Sequence, residues 1–237
     1  MTENETALTL YMHPLASYCW KALIALYELH TPFRIEMIEG RPAENEKLRR
    51  LWPVAKMPVL HDAARGDVVP EASIIIEYVQ QHYPAPTRLI PHDSGLQLQV
   101  RLWDRFFDLY VHASLQKLVN DRLRPPGHQD SMGAADARAT LATAYDLLEE
   151  RMRSRDWAAG DLFTLADCAA LPALFYCAAG QPFSPSHPHL TRYFERLLTR
   201  PSVQRVIDGA RPYLHLFPMR DALDPRFTRS AAQPPTR

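Results

Sequence analysis

Cysteine is scarce. Cys19, Cys168 and Cys177 are the three in 237 residues, and they form neither a CxxC pair nor an even framework. The chain therefore reads as a protein of a reducing, cytosolic compartment rather than a disulfide-stapled secreted one. Net charge is missing as well. The 27 basic and 27 acidic side chains cancel, which argues against a nucleic-acid partner, since that role favours a basic face. No apolar run suits a bilayer. The longest, residues 165–179, is broken by Asp167 and Pro172 and reads as a buried helix, so no membrane partner is expected. Residues 1–6 are polar with two glutamates, unlike a secretory signal. His61-Asp62 and His187-Pro188-His189 lack a third ligand at a recognised spacing, so no metal is expected either.

What is present is ordinary for a folded protein: 46% hydrophobic and 23% charged residues, with length enough for two small domains. The pattern changes near residue 84. Residues 7–12 form an apolar run of strand length, and residues 17–30 repeat Leu23, Ile24, Leu26 and Tyr27 at helical spacing. Phe33, Ile35 and Met37 alternate with Arg34 and Glu36 as a half-buried strand does. A polar helix over 44–52 is stopped by Pro53, and strands at 57–61 and 68–69 flank the turn Arg65-Gly66-Asp67. A helix over 72–83 turns Ile75, Ile76 and Val79 inward. This β-α-β-α-β-β-α order, with a parallel crossover and then a hairpin, is thioredoxin-like.

The spacing thus predicts an α/β thioredoxin-like N-terminal domain over 1–84, a proline-rich linker over 85–95 and an all-α domain over 96–222. That second domain has helices at 96–123, 134–155, 165–179, 188–199 and 202–208, the last with Gly209 as its stop. Residues 223–237 carry three prolines and no period, and read as a loose tail.

Met57-Pro58 opens the third strand. In trans this proline marks a sheet edge; in cis it turns the Met57 N–H and C=O outward to pair with an extended peptide. Glu71 precedes a helix whose free N–H groups suit a carboxylate, while Glu71 itself suits an ammonium group; plain N-capping is the other reading. The turn Pro14 to Cys19 faces the same end of the sheet. A thiol held there meets a helix N-terminus and a hydroxyl, both of which favour thiolate. Ser17 is that hydroxyl or an N-cap, and Cys19 is a packed residue or a nucleophile. His13 assists the site or is a hydrogen-bonded loop residue. Trp103, Phe106, Phe107 and Tyr110 form an aromatic stripe suited to core or dimer packing.

The segments LTLYMHPLASYCWKALIAL, KMPVL and EASIIIEYV resemble, in order, the three glutathione-site segments of the cytosolic glutathione transferases. FTLADCAALPAL is similar to their buried sixth helix, with a capping box at Thr164 and Asp167, and RPSVQRVIDGARPY to their C-terminal helix. The resemblance runs over residues 7–216. It implies a homodimer that uses glutathione as co-substrate against a small hydrophobic electrophile. It assigns the cysteinyl backbone to Met57 beside a cis Pro58, and the γ-glutamyl end to Glu71 with Ala72 and Ser73. Lys56 falls near the glycine end, and Tyr110 and Ser114 are candidates for the second-substrate pocket; the turn itself adds His13 to those candidates and Ser17 as the expected thiol-activating hydroxyl. The sequence departs from the pattern in two places. The family's activating serine falls at Ala16, and the serine after Glu71 is Ala72, so both hydroxyls stand one place along, at Ser17 and Ser73. A tyrosine-type site would need Met12 to be tyrosine, and Tyr11 is out of phase. Activation by Ser17 and activation by backbone N–H groups both fit. So do a maleylacetoacetate-type isomerase, reductive removal of a leaving group, and a non-catalytic glutathione or hydrophobic-ligand binding module.

Overall fold

The computed structural model describes residues 6–228. The first domain runs β1 (Leu8–Met12), α1 (Ser17–Glu28), β2 (Arg34–Met37), α2 (Pro42–Leu51), β3 (Val59–Asp62), β4 (Asp67–Pro70) and α3 (Ala72–His82). The sheet order is β2-β1-β3-β4, with β2 parallel to β1 and the other two pairings antiparallel. Alternation along β1 sends Leu8, Leu10 and Met12 into the core shared with α1 and α3, and sends Tyr11 to the opposite face among Ile38, Leu48 and Val59. Ile35, expected to be half-buried, is 47% exposed. It lies on an edge strand, where a regular alternation is not matched by a covering layer.

The second domain begins with a single rod: α4 (Ser94–Phe106), a π-helical segment (Phe107–His112) and α5 (Ala113–Arg122). The sequence predicts one uninterrupted α-helix here and gives no sign of the π turns. Then follow α6 (Ser131–Met152), α7 (Leu165–Gly180), α8 (Pro188–Leu198), α9 (Pro201–Ala210), 3₁₀ turns at Arg211–Leu216 and Arg220–Ala222, and α10 (Pro225–Thr228). Buried α7 starts at the Thr164–Asp167 capping box. The Asp167 carboxylate accepts from Thr164 N (2.8 Å), Ala158 N (2.9 Å) and the Tyr193 hydroxyl (2.6 Å), which is how a fully buried acid is accommodated. The loose-tail expectation is corrected over residues 223–228. Leu223 and Phe227, four residues apart in sequence, are both buried, and the Phe227 ring lies 4.7 Å from that of Phe175. Residues 229–237 of that tail lie outside the described residues. The 85–95 stretch is pinned: Gln80 Oε1 accepts from Leu89 N and Ile90 N, and Gln80 Nε2 donates to Ile90 O. Among the described residues, no helix is long and apolar enough to cross a membrane.

α1 joins the two domains by packing on α7 and α9. Its C-terminal end carries Glu28, which accepts from Arg200 Nε (2.8 Å), Arg200 Nη2 (2.5 Å) and the Ser202 hydroxyl. Burial alone would raise this carboxyl, but these hydrogen bonds and the Arg200 charge outweigh it and hold it below its ordinary value. Nearer the N-terminus, Lys21 is 1% exposed. Its ammonium group meets Asp104 Oδ1 at 2.5 Å and donates to Asp108 Oδ2 at 2.8 Å and Ser73 Oγ at 2.9 Å. Arg105 closes the cluster from outside, at 3.0 Å from Asp104 and 2.5 Å from Asp108.

Two outcomes follow for stability. Glu28→Gln should lower the unfolding free energy at pH 7 by about 2 kcal/mol, because Arg200 loses its counter-charge. A depressed carboxyl stabilises above its unfolded pKa and stops doing so as pH falls through its folded value. Urea titrations should therefore show the deficit closing below about pH 4. Lys21→Met should cost about 3–5 kcal/mol at pH 7 by leaving two buried carboxylates with one arginine. Burial already raises the Asp108 carboxyl. A raised folded pKa favours the folded state at low pH and costs stability as pH rises through it, so this deficit should shrink on acidification.

Candidate functional site

A cleft of about 650 Å³ opens between the domains. Its floor comes from the first domain: the turn Leu15 to Tyr18, then Lys56, Met57 and Pro58, then Glu71 and Ala72. The Met57–Pro58 peptide is cis, and neither the N–H nor the C=O of Met57 has a backbone partner among the described residues. An extended main chain can pair with it there. Glu71 is the N-cap of α3 and has φ +70°, a conformation that costs a non-glycine residue about 1–3 kcal/mol. The α3 N–H groups of Ala72, Ser73 and Ile74 lack backbone partners, the first helical bond being Ile75 N to Glu71 O. In the same way, Ser17 and Tyr18 leave free N–H groups at the start of α1. Two helix N-termini with an exposed Lys56 make the floor attractive to anions, and the Glu71 carboxylate accepts a cation beside them.

Ser17 faces this cleft, and its Oγ lies 3.0 Å from His112 Nε2 of the second domain. His112 is 5% exposed. Burial, with help from the nearby Lys21 charge, pushes it down to about 4, so it is neutral at pH 7. The Tyr18 ring stands edge-on to it at 4.4 Å. Cys19 is fully buried, and burial pushes its thiol up to about 12, so it packs and does not act as a nucleophile.

Of the sequence-predicted residues, Ser17, Lys56, Met57, Pro58, Glu71 and Ala72 come together in the cleft. Ser73, His13, Tyr110 and Ser114 do not line it. The Ser73 hydroxyl is held in the charge cluster, accepting from Lys21 and Arg105 and donating to Asp104 Oδ2 at 2.9 Å. His13 is a loop residue: its Nδ1 accepts from Leu15 N at 3.1 Å, and its ring packs on Tyr213. Tyr110 is 53% exposed on the outside of the rod, and the Ser114 hydroxyl donates to the Tyr110 carbonyl at 2.7 Å.

The wall opposite the floor is Arg105, Asp108, Leu109, Gln116 and Asn120, together a more polar surface than expected. On the uninterrupted α-helix expected from the sequence, at 100° per residue, Tyr110 and Ser114 fall about 140° and 180° round from Arg105, whereas Leu109, Gln116 and Asn120 fall within about 60° of it. The wall was therefore legible from spacing. The missed inward line was also there to read, since Asp104, Asp108 and His112 are four residues apart, as are Ser17 and Lys21 facing them.

Comparison with known proteins agrees with this geometry. Residues 10–87 match the glutathione S-transferase N-terminal domain family, and residues 106–201 match the C-terminal domain family. A glutathione S-transferase-like protein of Fusarium is 31% identical over 147 residues, 62% of this chain and 64% of that protein. A glutathione S-transferase from Methylobacterium radiotolerans, solved in complex with glutathione sulfonate, is 27% identical with TM-score 0.72, covering 84% of this chain and 93% of that one. A glutathione transferase from Phanerochaete chrysosporium shares the fold at TM-score 0.80 and 18% identity, over 90% and 99% of the two chains. A thioredoxin-like domain with a cis Met57–Pro58, joined to a helical domain across one cleft, and family matches in the same order along the sequence, lead to one conclusion: the chain belongs to the glutathione S-transferase superfamily.

Proposed function

We propose that the cleft binds glutathione and stabilises its thiolate for attack on an electrophile. The observation that carries this reading is the convergence of three groups at one floor: the unpaired Met57 main chain, two helix N-termini and the Ser17 hydroxyl. Each matches a part of the tripeptide. Met57 pairs with the cysteinyl backbone, Glu71 takes the γ-glutamyl ammonium, the α3 N–H groups take its carboxylate, and Lys56 meets the glycine carboxylate. The sulfur then falls near Ser17 and the start of α1.

Lowering a thiol from about 8.5 to about 6.5 needs roughly 2.7 kcal/mol. A charge-assisted hydrogen bond from Ser17, at about 1.5–3 kcal/mol, together with the α1 dipole, at about 0.3–1 kcal/mol, is enough. The released proton goes to water, the thiolate forms a bond to the electrophilic carbon, and a leaving group departs with its electron pair. The electrophile faces Leu109 together with Arg105, Gln116 and Asn120. This wall supports a substrate with hydrogen-bonding groups as well as apolar surface, rather than a purely hydrophobic one.

A second copy of the chain is proposed to cover Ile74, Leu98 and Leu102. They are 52%, 68% and 55% exposed on α3 and α4, which the Arg101–Glu77 ion pair clips together at 2.8 Å.

Ultraviolet titration of bound glutathione tests the chemistry. Thiolate absorbance should appear with an apparent pKa of roughly 6.5. Ser17→Ala should raise it by one to two units and cut transfer to a model electrophile at pH 6.5 by about five- to fifty-fold. Bound glutathione with an ordinary thiol would instead indicate a binding module, and absence of binding would remove both readings. For assembly, light scattering should give a dimer mass for the wild type and a monomer mass for Leu98→Glu with Leu102→Glu; a monomeric wild type would end the dimer proposal.

A further inference from the structure

A serine hydroxyl carries one proton and rotates freely. To stabilise a thiolate, Ser17 must keep that proton pointing into the cleft, away from its own protein partner. That partner is His112, whose Nε2 sits 3.0 Å from Ser17 Oγ and whose ring is held edge-on by Tyr18 at 4.4 Å. We propose that His112 is the positioning residue of the thiol site: its Nε2–H donates to Ser17 Oγ, so that the hydroxyl proton is left for the sulfur. This rests on the glutathione reading of the cleft.

The donor chain then runs in one direction, from imidazole N–H to hydroxyl O–H to thiolate, and no proton changes owner along it. A relay in the opposite sense would pass the thiol proton through Ser17 to make an imidazolium. Burial and the Lys21 charge oppose that, holding His112 at about 4. Against the bound thiol near 6.5, such a transfer is disfavoured by roughly three-hundred-fold. The acidic groups on the same face, Asp104 and Asp108, do not offset this, because they are committed to Lys21 and Arg105.

The π segment explains how His112 arrives there. A step of four residues in an α-helix overshoots a full turn by about 40°. The wider turn over Phe107–His112 takes that drift back, so Asp104, Asp108 and His112 all face α1. On α1, Lys21 meets the two aspartates and Ser17 meets the histidine.

The test is the absorbance titration of bound glutathione in full-length wild type, His112→Asn, His112→Gln, Ser17→Ala and the Ser17→Ala/His112→Asn double variant. Glutathione affinity is measured separately by calorimetry below pH 6. A glutamine amide reaches the place of Nε2 with an N–H, whereas an asparagine amide stops short. His112→Asn should raise the bound thiol pKa by about one unit, a tenfold loss of thiolate below the pKa, with affinity changed less than about twofold. His112→Gln should stay within about 0.3 units of wild type. The double variant should shift no further than Ser17→Ala alone. Should the asparagine variant not fold, His112→Phe keeps the ring and its contact with Tyr18 and carries the same expectation. An unchanged or lowered pKa in His112→Asn, or a shift that persists undiminished without Ser17, overturns the proposal and leaves glutathione binding intact. A wild type that does not bind glutathione overturns the reading of the cleft and this proposal with it.

Discussion

Lys21 is a full positive charge at 1% exposure, and its requirement for counter-charge fixes how the two domains meet. An unpaired ammonium at that depth would cost several kcal/mol. Asp104 and Asp108 supply the compensation from the second domain, and Arg105 offsets the second carboxylate from the rim. A buried ion cluster seldom adds more stability than apolar contacts of the same volume. The bulk of the stability lies in the packed faces of α1 and α7, where the Trp20 ring packs on those of Phe175 and Tyr176. The cluster's distinctive contribution is registration. Two carboxylates on one helix and one lysine on another meet at a single offset, and sliding either helix by a turn would leave a charge alone.

The cleft inherits that offset. Ser17 lies one turn before Lys21 on α1, and His112 lies one step beyond Asp108 on the rod, so the alignment that pairs the charges also pairs the hydroxyl with the imidazole. Arg105 and Asp108 belong to the cluster and to the cleft wall at once. The floor depends on different physics. The backbone of Met57 and the positive φ of Glu71 are set within the first domain, by the turn into β3 and by the junction of β4 with α3. A floor from the first domain and a polar wall from the second are therefore built independently and meet where α1 begins.

Much of this was readable along the chain, for local reasons. The β-α-β-α-β-β-α order follows from short runs of period two alternating with runs of helical period, and the sheet has that connectivity. The Thr164–Asp167 box reads directly because capping is a contact between residues three apart. The phase of Tyr11 away from the core is a consequence of strand geometry, and its ring packs on the far face with Leu48. The errors have local reasons too. Ile35 alternates correctly, but alternation does not reveal which strand is the edge. Residues 223–228 show no period because a single turn is too short to have one, yet Leu223 and Phe227 find a surface on the folded domain.

The sequence by itself determined the two-domain architecture, the family and the floor of the cleft, because each is written in neighbouring residues through strand period, helix period, the Met57-Pro58 dipeptide and the Glu71 junction. Tertiary structure alone decided what surrounds Ser17. It took Ser73 into the charge cluster. It also brought His112 to Ser17 across 95 residues of chain. These outcomes depend on the relative placement of two helices and on the π turn over Phe107–His112. Such placements are settled by long-range compensation of buried charge, which no local pattern records.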